Sequence, residues 1–495
     1  MRTLALLLLI VVSVRAQDRA ALQAWTAAHQ RQVIGELEQL LAIPNVGTDR
    51  ANIRRNADFV MGMLRHRGLN AELLETAGNP LVYAEKNVPG ASRTLLFYIH
   101  YDGQPVDTAR WKQRSPFVPV MRDGRLEDGA REIPEFTARD TFEPQWRIYA
   151  RSASDDKAPI VAFCAALDAL QGKTASNIHV VLDGEEEMGS PSLTAAVTKY
   201  REKLKASVLY ILDGPVHQSD RPTLAFGARG LVALEITVFG PKMALHSGHY
   251  GNWIPNPALR LAQLLAGMKD AQGRTTIPGF YADVPPFTAA QRRVLDSVPD
   301  DEAGLLKFFG VAQPDAVGRS LQEAIQYPSL NIRGMKSGYV DEPRTIIPSD
   351  ATAAIDIRLV KETPSMKMAQ LVRAYVEKQG YHLVEGDPSD ADRTRYPRLA
   401  RVKVTEGMEA FRTEPESPEG ERAAAALRRI WGVEPVQIRT MGGTVPIAPF
   451  VRELALPAIS VPIVNFDNNQ HTDNENLRLK NLWDGVITLA AMLQL

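Results

Sequence analysis

The stretch Leu182-Asp183-Gly184-Glu185-Glu186-Glu187-Met188-Gly189-Ser190 sets three consecutive glutamates directly behind the apolar run 178–182. That run reads as a buried strand. Residues 192–204 carry helical periodicity, with Ser190 or Ser192 suited to the N-cap. The three carboxylates therefore stand at the carboxyl end of a strand, where open α/β sheets put their active sites. Like charges packed together are costly unless cations join them. For the triplet alone a solvated acidic loop is the competing reading, and the remainder of the chain decides between the two.

Other strands end in the same kind of residue. Strand 94–99 runs into His100-Tyr101-Asp102-Gly103-Gln104-Pro105-Val106-Asp107, and strand 208–212 ends at Asp213. Asp155 precedes the apolar helix 158–170, whose first turn takes Pro159. His471 lies between a strand at 457–463 and a closing helix at 479–493. With helices at 20–43, 52–67 and 419–431 and a strand at 81–86, this is α/β texture. From about residue 228 to 408 the texture differs. A half-exposed alternating strand at 231–239 is followed by helix 257–269, strands 329–333 and 351–360, helix 365–378 and strand 401–405. The order β-α-β-β-α-β is the split βαβ arrangement of an inserted α+β domain. Residues 270–328 should add helices to its first crossover. Residues 110–147 lack a period and read as an irregular surface rim.

Formal net charge is -1, from 57 basic and 58 acidic residues, so no global field favours nucleic acid or a membrane surface. Residues 1–16 have a basic start at Arg2, an apolar stretch and the small-x-small site Val14-Arg15-Ala16. They read as a signal peptide removed before Gln17, which makes the expected location periplasmic or secreted, with no other membrane segment. The single cysteine, Cys164, excludes an intrachain disulfide and reads as a buried core thiol.

His100, Asp102, Asp155, Glu186, Glu187, Asp213 and His471 thus come to one sheet edge from separated segments. Histidine with carboxylate is a ligand set suited to zinc, and several carboxylates can serve two ions. Two ions about 3.5–4 Å apart can activate a water and polarise a carbonyl, with a non-ligand carboxylate as base. Asp102, two residues beyond His100, could orient its imidazole.

As a set, His100-Tyr-Asp102-Gly-Gln-Pro-Val, Arg151-x-x-x-Asp155-x-Lys157-x-Pro159, Gly184-Glu-Glu186-Glu187-x-Gly-Ser, Asp213 and His471-x-x-Asn474-Glu475 resemble the motifs of the dinuclear zinc exopeptidases. That family includes carnosine dipeptidase, glutamate carboxypeptidase, aminoacylase and succinyl-diaminopimelate desuccinylase. The resemblance, from about Arg31 to the C-terminus, implies an α/β catalytic domain with a mixed central sheet flanked by helices, of the phosphorylase/hydrolase-like kind. It is formed by 17–227 and 409–495 and interrupted by a ferredoxin-like lid and dimerisation domain at 228–408. It implies two Zn2+ ions per subunit, with Mn2+ or Co2+ as possible substitutes. His100 and Asp213 would hold one ion, Glu187 and His471 the other, and Asp155 would bridge. Glu186 would be the general base for a metal-bridging hydroxide, and Asp102 would orient His100. Glu185 would be merely solvated.

In the lid, Leu245-His246-Ser247-Gly248 resembles the segment whose histidine stabilises the oxyanion in the partner subunit of a homodimer. Arg358, Gly443 and Thr444 match the group that holds a substrate carboxylate, and Asn331 would line the pocket. Ser152 and Ala158 depart from the glycines common in the family, Asp156 from Asn or Gly, and Thr444 from the usual Ser. The implied activity is metal-dependent hydrolysis of short peptides, foremost dipeptides. The competing readings are an N-acyl-amino-acid amidohydrolase and a non-catalytic peptide-binding protein.

Overall fold

The computed structural model describes residues 19–341 and 344–495, so the leader at 1–16 lies outside the described residues. The described residues form two compact units: one of 19–222, 421–435 and 461–495, the other of 223–420 and 436–460.

The first unit is built on strands ordered Asn70–Leu74, Leu81–Lys86, Asn177–Asp183, Thr94–His100, Val208–Ile211. The last three run parallel, with His100 level with Asp183 and Tyr98 level with Ile211. The two outer strands run antiparallel. Parallel neighbours end on the same side, so 100–102, 183–187 and the residues after Ile211 emerge at one edge. Val180, Val181, Leu182 and Phe97 are fully buried, as expected for strands covered on both faces. The helix Lys157–Ala169 is buried nearly all round, with Ile160, Val161, Phe163 and Leu167 in the core. Helices Arg19–Leu41 and Leu479–Met492 pack against it. Lys157 is itself buried, and its ammonium donates to the carbonyls of Leu40 and Ile43, closing the first helix.

Two local expectations are corrected. The helix after the glutamates spans only Leu193–Lys199, shorter than 192–204. Ser192 takes the N-cap position without a side-chain bond, and the Ser190 hydroxyl turns instead to Asp183 at 2.6 Å. The region 110–147 lacks long elements but is not featureless: Val120–Arg122 and Arg147–Tyr149 join Asn476–Arg478 in a small sheet.

The second unit has the sheet order Ser329–Lys336, Asp350–Leu359, Gly230–Phe239, Leu399–Met408, antiparallel throughout, with His382–Leu383 added in parallel at the edge. Helices Pro257–Ala266 and Ser365–Lys378 bury Leu261, Leu264, Leu265, Met368, Val372 and Val376 against strand residues including Val232, Ile236, Ile355 and Ile357. This is the ferredoxin-like arrangement expected. Helices Ala289–Ser297, Glu302–Phe309 and Leu321–Ala324 fill the long crossover. Among the described residues no helix is long and apolar enough to cross a membrane.

Candidate metal centre

At the edge of the first sheet the strand Thr94–His100 stops at His100, whose ring is wholly buried. Its Nε2 lies 2.9 Å from Asp155 Oδ1. The other oxygen of Asp155 faces His471 Nε2 at 3.0 Å, and that nitrogen is 3.4 Å from Glu187 Oε2. Two groups of potential metal ligands result: His100, Asp155 and Asp213, and Asp155, Glu187 and His471, with the ligand atoms of each within 4.8 Å of one another. Asp155 is common to both.

The acidic turn is bound tightly at its base. Asp102 Oδ1 accepts the amide of Glu186 and Oδ2 that of Glu187, both at 3.1 Å. Asp102 also lies beside His100: its carbonyl is 3.3 Å and its Oδ1 3.4 Å from His100 Nδ1. Gln104 donates to Glu187 Oε2 at 2.6 Å. Asp183 accepts from the Glu185 amide at 3.0 Å and from Tyr98 Oη at 3.1 Å. Gly184 has no room for a side chain, because a Cβ there would fall 2.5 Å from Tyr101 Oη.

Glu185 is corrected. It is buried, not solvated, and its carboxylate accepts the amides of Asn79 at 2.8 Å and Ser192 at 3.2 Å. It anchors the turn to the loop before the second strand. The triplet thus divides into one carboxylate that holds the turn and two that stand in the electrostatic surroundings of His100 and Asp155, a distinction that three identical adjacent residues cannot reveal.

Burial raises the carboxyl groups of Glu186, Glu187 and Asp213, and neighbouring carboxylates add to it: Glu187 is pushed up to about 7 and Asp213 to about 6. Asp155 goes the other way, because His100 and His471 outweigh its burial. For His471 the bond to Asp155 is the main cause of a rise to about 9. Four close carboxylates thus share two imidazoles. That excess of negative charge is what bound cations neutralise, so the donor set fits metal ions.

Sequence reasoning passed over the support of Asp155. Glu475, fully buried, accepts from Ser152 N at 2.8 Å, Ser154 N and Asp155 N at 2.9 Å, and Ser154 Oγ at 2.8 Å, while Arg151 Nη1 reaches it at 2.9 Å. Arg151 and Glu475 both stand within the motifs that carried the resemblance. Their spacing in sequence, 324 residues, hides the pairing.

The remaining expected residues belong to the second unit. His246 closes a two-residue strand, is exposed, and accepts the Gly248 amide on Nδ1 at 3.1 Å. Arg358 Nη1 donates to Thr444 Oγ1 at 2.8 Å, and the Gly443 carbonyl accepts the Arg229 amide at 3.0 Å. Asn331 is level with Asp356 on the neighbouring strand and donates to its Oδ1 at 3.0 Å.

Known proteins share this architecture. The Cys-Gly metallodipeptidase of Candida albicans is 26% identical over 485 residues, covering 93% of each chain. The human Beta-Ala-His dipeptidase is 27% identical over 426 residues, 83% of this chain and 76% of that one. The M20 family metallo-carboxypeptidase Sso-CP2 of Sulfolobus solfataricus superposes with a TM-score of 0.74 at 28% identity, over 93% of this chain and 98% of that structure. The expected export is overturned by these matches: the yeast Cys-Gly metallodipeptidases are cytosolic enzymes, and the leader on which export rested lies outside the described residues. The signature of Peptidase family M20/M25/M40 matches residues 96–495. With a dipeptidase-like chain, a two-group ligand cluster and that match, the protein is a metallopeptidase that hydrolyses short peptides, and it belongs to Peptidase family M20/M25/M40.

Proposed function

We propose that the enzyme is a dizinc dipeptidase. The observation that carries this is Asp155, whose two oxygens face two imidazoles at 2.9 and 3.0 Å, each imidazole in a group with one further carboxylate. His100 and Asp213 would hold one ion, His471 and Glu187 the other, and Asp155 would belong to both. The bound ions would supply Lewis acidity to the scissile carbonyl and acidify water.

Glu186 belongs to neither group, yet it is tied by its amide to Asp102 and its carboxyl is held high by burial. A carboxylate so poised takes a proton from the attacking water and returns it to the leaving amine. Asp102 keeps the imidazole of His100 in orientation. Arg358, with Thr444 and the backbone at Gly443, would grip the carboxylate end of the dipeptide, for which a guanidinium fork is suited. Asn331 would line the same pocket. His246 is exposed and would act on the developing oxyanion in the partner of a homodimer formed through the lid.

The test is hydrolysis of unblocked dipeptides beside N-acetyl amino acids, with metal analysis of the same sample. Chelator-sensitive dipeptide cleavage, two zinc ions per subunit, and loss of turnover in Glu186→Ala with metal retained are expected. Preference for N-acetyl substrates, or Glu186→Ala turnover near wild type, would refute the reading.

A further inference from the structure

In the second unit, residues of the helical crossover together with Arg229 line a half-open cavity of about 360 Å3. Its wall includes Tyr281, Leu305, Leu306, Phe309 and Leu330. A volume of that order is within the range of small-molecule sites. Three cations, Arg229, Lys269 and Arg319, and two carboxylates, Glu302 and Asp315, also line it.

The charges are not evenly matched. Lys269 pairs with Asp315 at 3.5 Å, and Arg319 pairs with Glu323 at 2.6 Å. Glu302 accepts the Leu321 amide at 2.6 Å. Arg229 is only 6% exposed, and among the described residues every acceptor it has is neutral: the Tyr327 carbonyl at 2.7 Å, Ser329 Oγ at 3.0 Å and the Arg358 carbonyl at 3.3 Å, all on Nη2. Its Nε is buried with no partner. Burial and the neighbouring Arg358 draw its affinity for the proton down, to about 10. A buried guanidinium without a counter-anion is costly, and native proteins seldom leave one so.

We propose that this cavity is a binding site for a small monocarboxylate with an apolar tail, its carboxylate on Arg229 and its tail against Leu305, Leu306 and Phe309. Glu302 is held on the Leu321 amide, so an anionic head entering the cavity meets Arg229, the buried cation whose acceptors are all neutral. The apolar wall specifies the tail, and the paired state of Lys269 and Arg319 leaves Arg229 as the recognition group. None of the expected metal ligands is among the residues that line it.

Calorimetric titration of the full-length protein with 3-phenylpropionate tests it, with 3-phenylpropan-1-ol as the uncharged counterpart. The acid is expected to bind and the alcohol to bind at least roughly tenfold more weakly. Arg229→Met should weaken the acid by a similar factor. Leu306→Trp, which fills the cavity and leaves Arg229 in place, should abolish binding and keeps the test decisive if Arg229→Met does not fold. Arg358→Ala, which keeps the cavity and removes only the neighbouring guanidinium, should weaken the acid far less than Arg229→Met. Equal binding of acid and alcohol, absence of binding, or loss in Arg358→Ala but not in Leu306→Trp would overturn the proposal, the last by placing the anion at the Arg358 subsite.

Discussion

Asp102 and Glu186 are joined through the backbone: an oxygen of the Asp102 carboxylate receives the Glu186 amide at 3.1 Å while lying 3.4 Å from His100 Nδ1. One carboxylate therefore sets the direction of an expected ligand and the position of the expected base. Asp102→Asn keeps the size of the side chain but turns one acceptor into a donor, which then confronts the Glu186 or Glu187 amide. Partners of metal ligands of this kind cost roughly 10–100-fold in metal affinity when changed. Titration of the metal-free variant with zinc, read by competition with a chelating dye, should show a loss of that order. Affinity equal to wild type would refute the role.

Glu475 is the other fixed point. It is wholly buried and neutralised by Arg151. Removing one member of such a pair leaves the other charged and unpaired, at a cost of roughly 3–5 kcal/mol. Glu475→Gln should therefore lower the urea midpoint markedly. Arg151→Met combined with Glu475→Met should cost less than the two single changes summed, because no charge is stranded. Strict additivity would show that the pair is not coupled.

Among the described residues Arg358 has no acidic partner, and it donates to Thr444. If it holds the substrate carboxylate, Arg358→Ala loses a charge-assisted bond worth about 1.5–3 kcal/mol. KM for an unblocked dipeptide should rise by roughly one to two powers of ten. The C-terminally amidated dipeptide, which lacks the charge, should be hydrolysed alike by both proteins. A matching rise with the amide would sink the assignment.

Asp467 provides a pH-dependent contribution away from the metal ligands' own side chains. Its burial is outweighed by Arg147 at 2.8 Å and Asn465 at 3.0 Å, and its carboxyl falls from 3.8 to about 2. A folded-state value below the unfolded one contributes stability above the unfolded value, lost as pH falls through the folded one. The contribution is full above about pH 4 and gone near pH 2. The side chain is 38% exposed, so solvent screening reduces it to roughly 1 kcal/mol. Asp467→Asn should be less stable than wild type by about that amount at pH 7, and the gap should close toward pH 2. A gap unchanged with pH would show that ionisation is not its source.

Cys164 is buried, and burial pushes its thiol up to about 12. A disulfide reagent at pH 8 should leave the native protein unmodified and titrate one thiol after unfolding. Rapid reaction of the folded protein would contradict the packing.

Much of this was legible before any coordinates. Buried strands such as 94–99 and 178–182 announce themselves by continuous apolar runs, and the lid helix 365–378 by its pattern. The turn around Asp183 was not, because Ser190 and Asp183 settle its course by a bond that local pattern does not encode. Nor were the roles of Glu185 and Glu475, since each depends on amides more than 100 positions away. The ligand residues were legible because chemistry limits which side chains can serve. Their supports were not, because any buried acceptor could have been chosen.

The Asp155 loop is clasped by a residue 320 positions further along the chain. During synthesis the ribosome has made His100, Asp155, Glu187 and Asp213 long before Glu475 and His471 leave the exit tunnel. Until then the loop bearing the shared aspartate lacks its clasp and one of its two imidazoles. A chain cut before residue 471 would keep the acidic edge but lose both the clasp on the Asp155 loop and that imidazole.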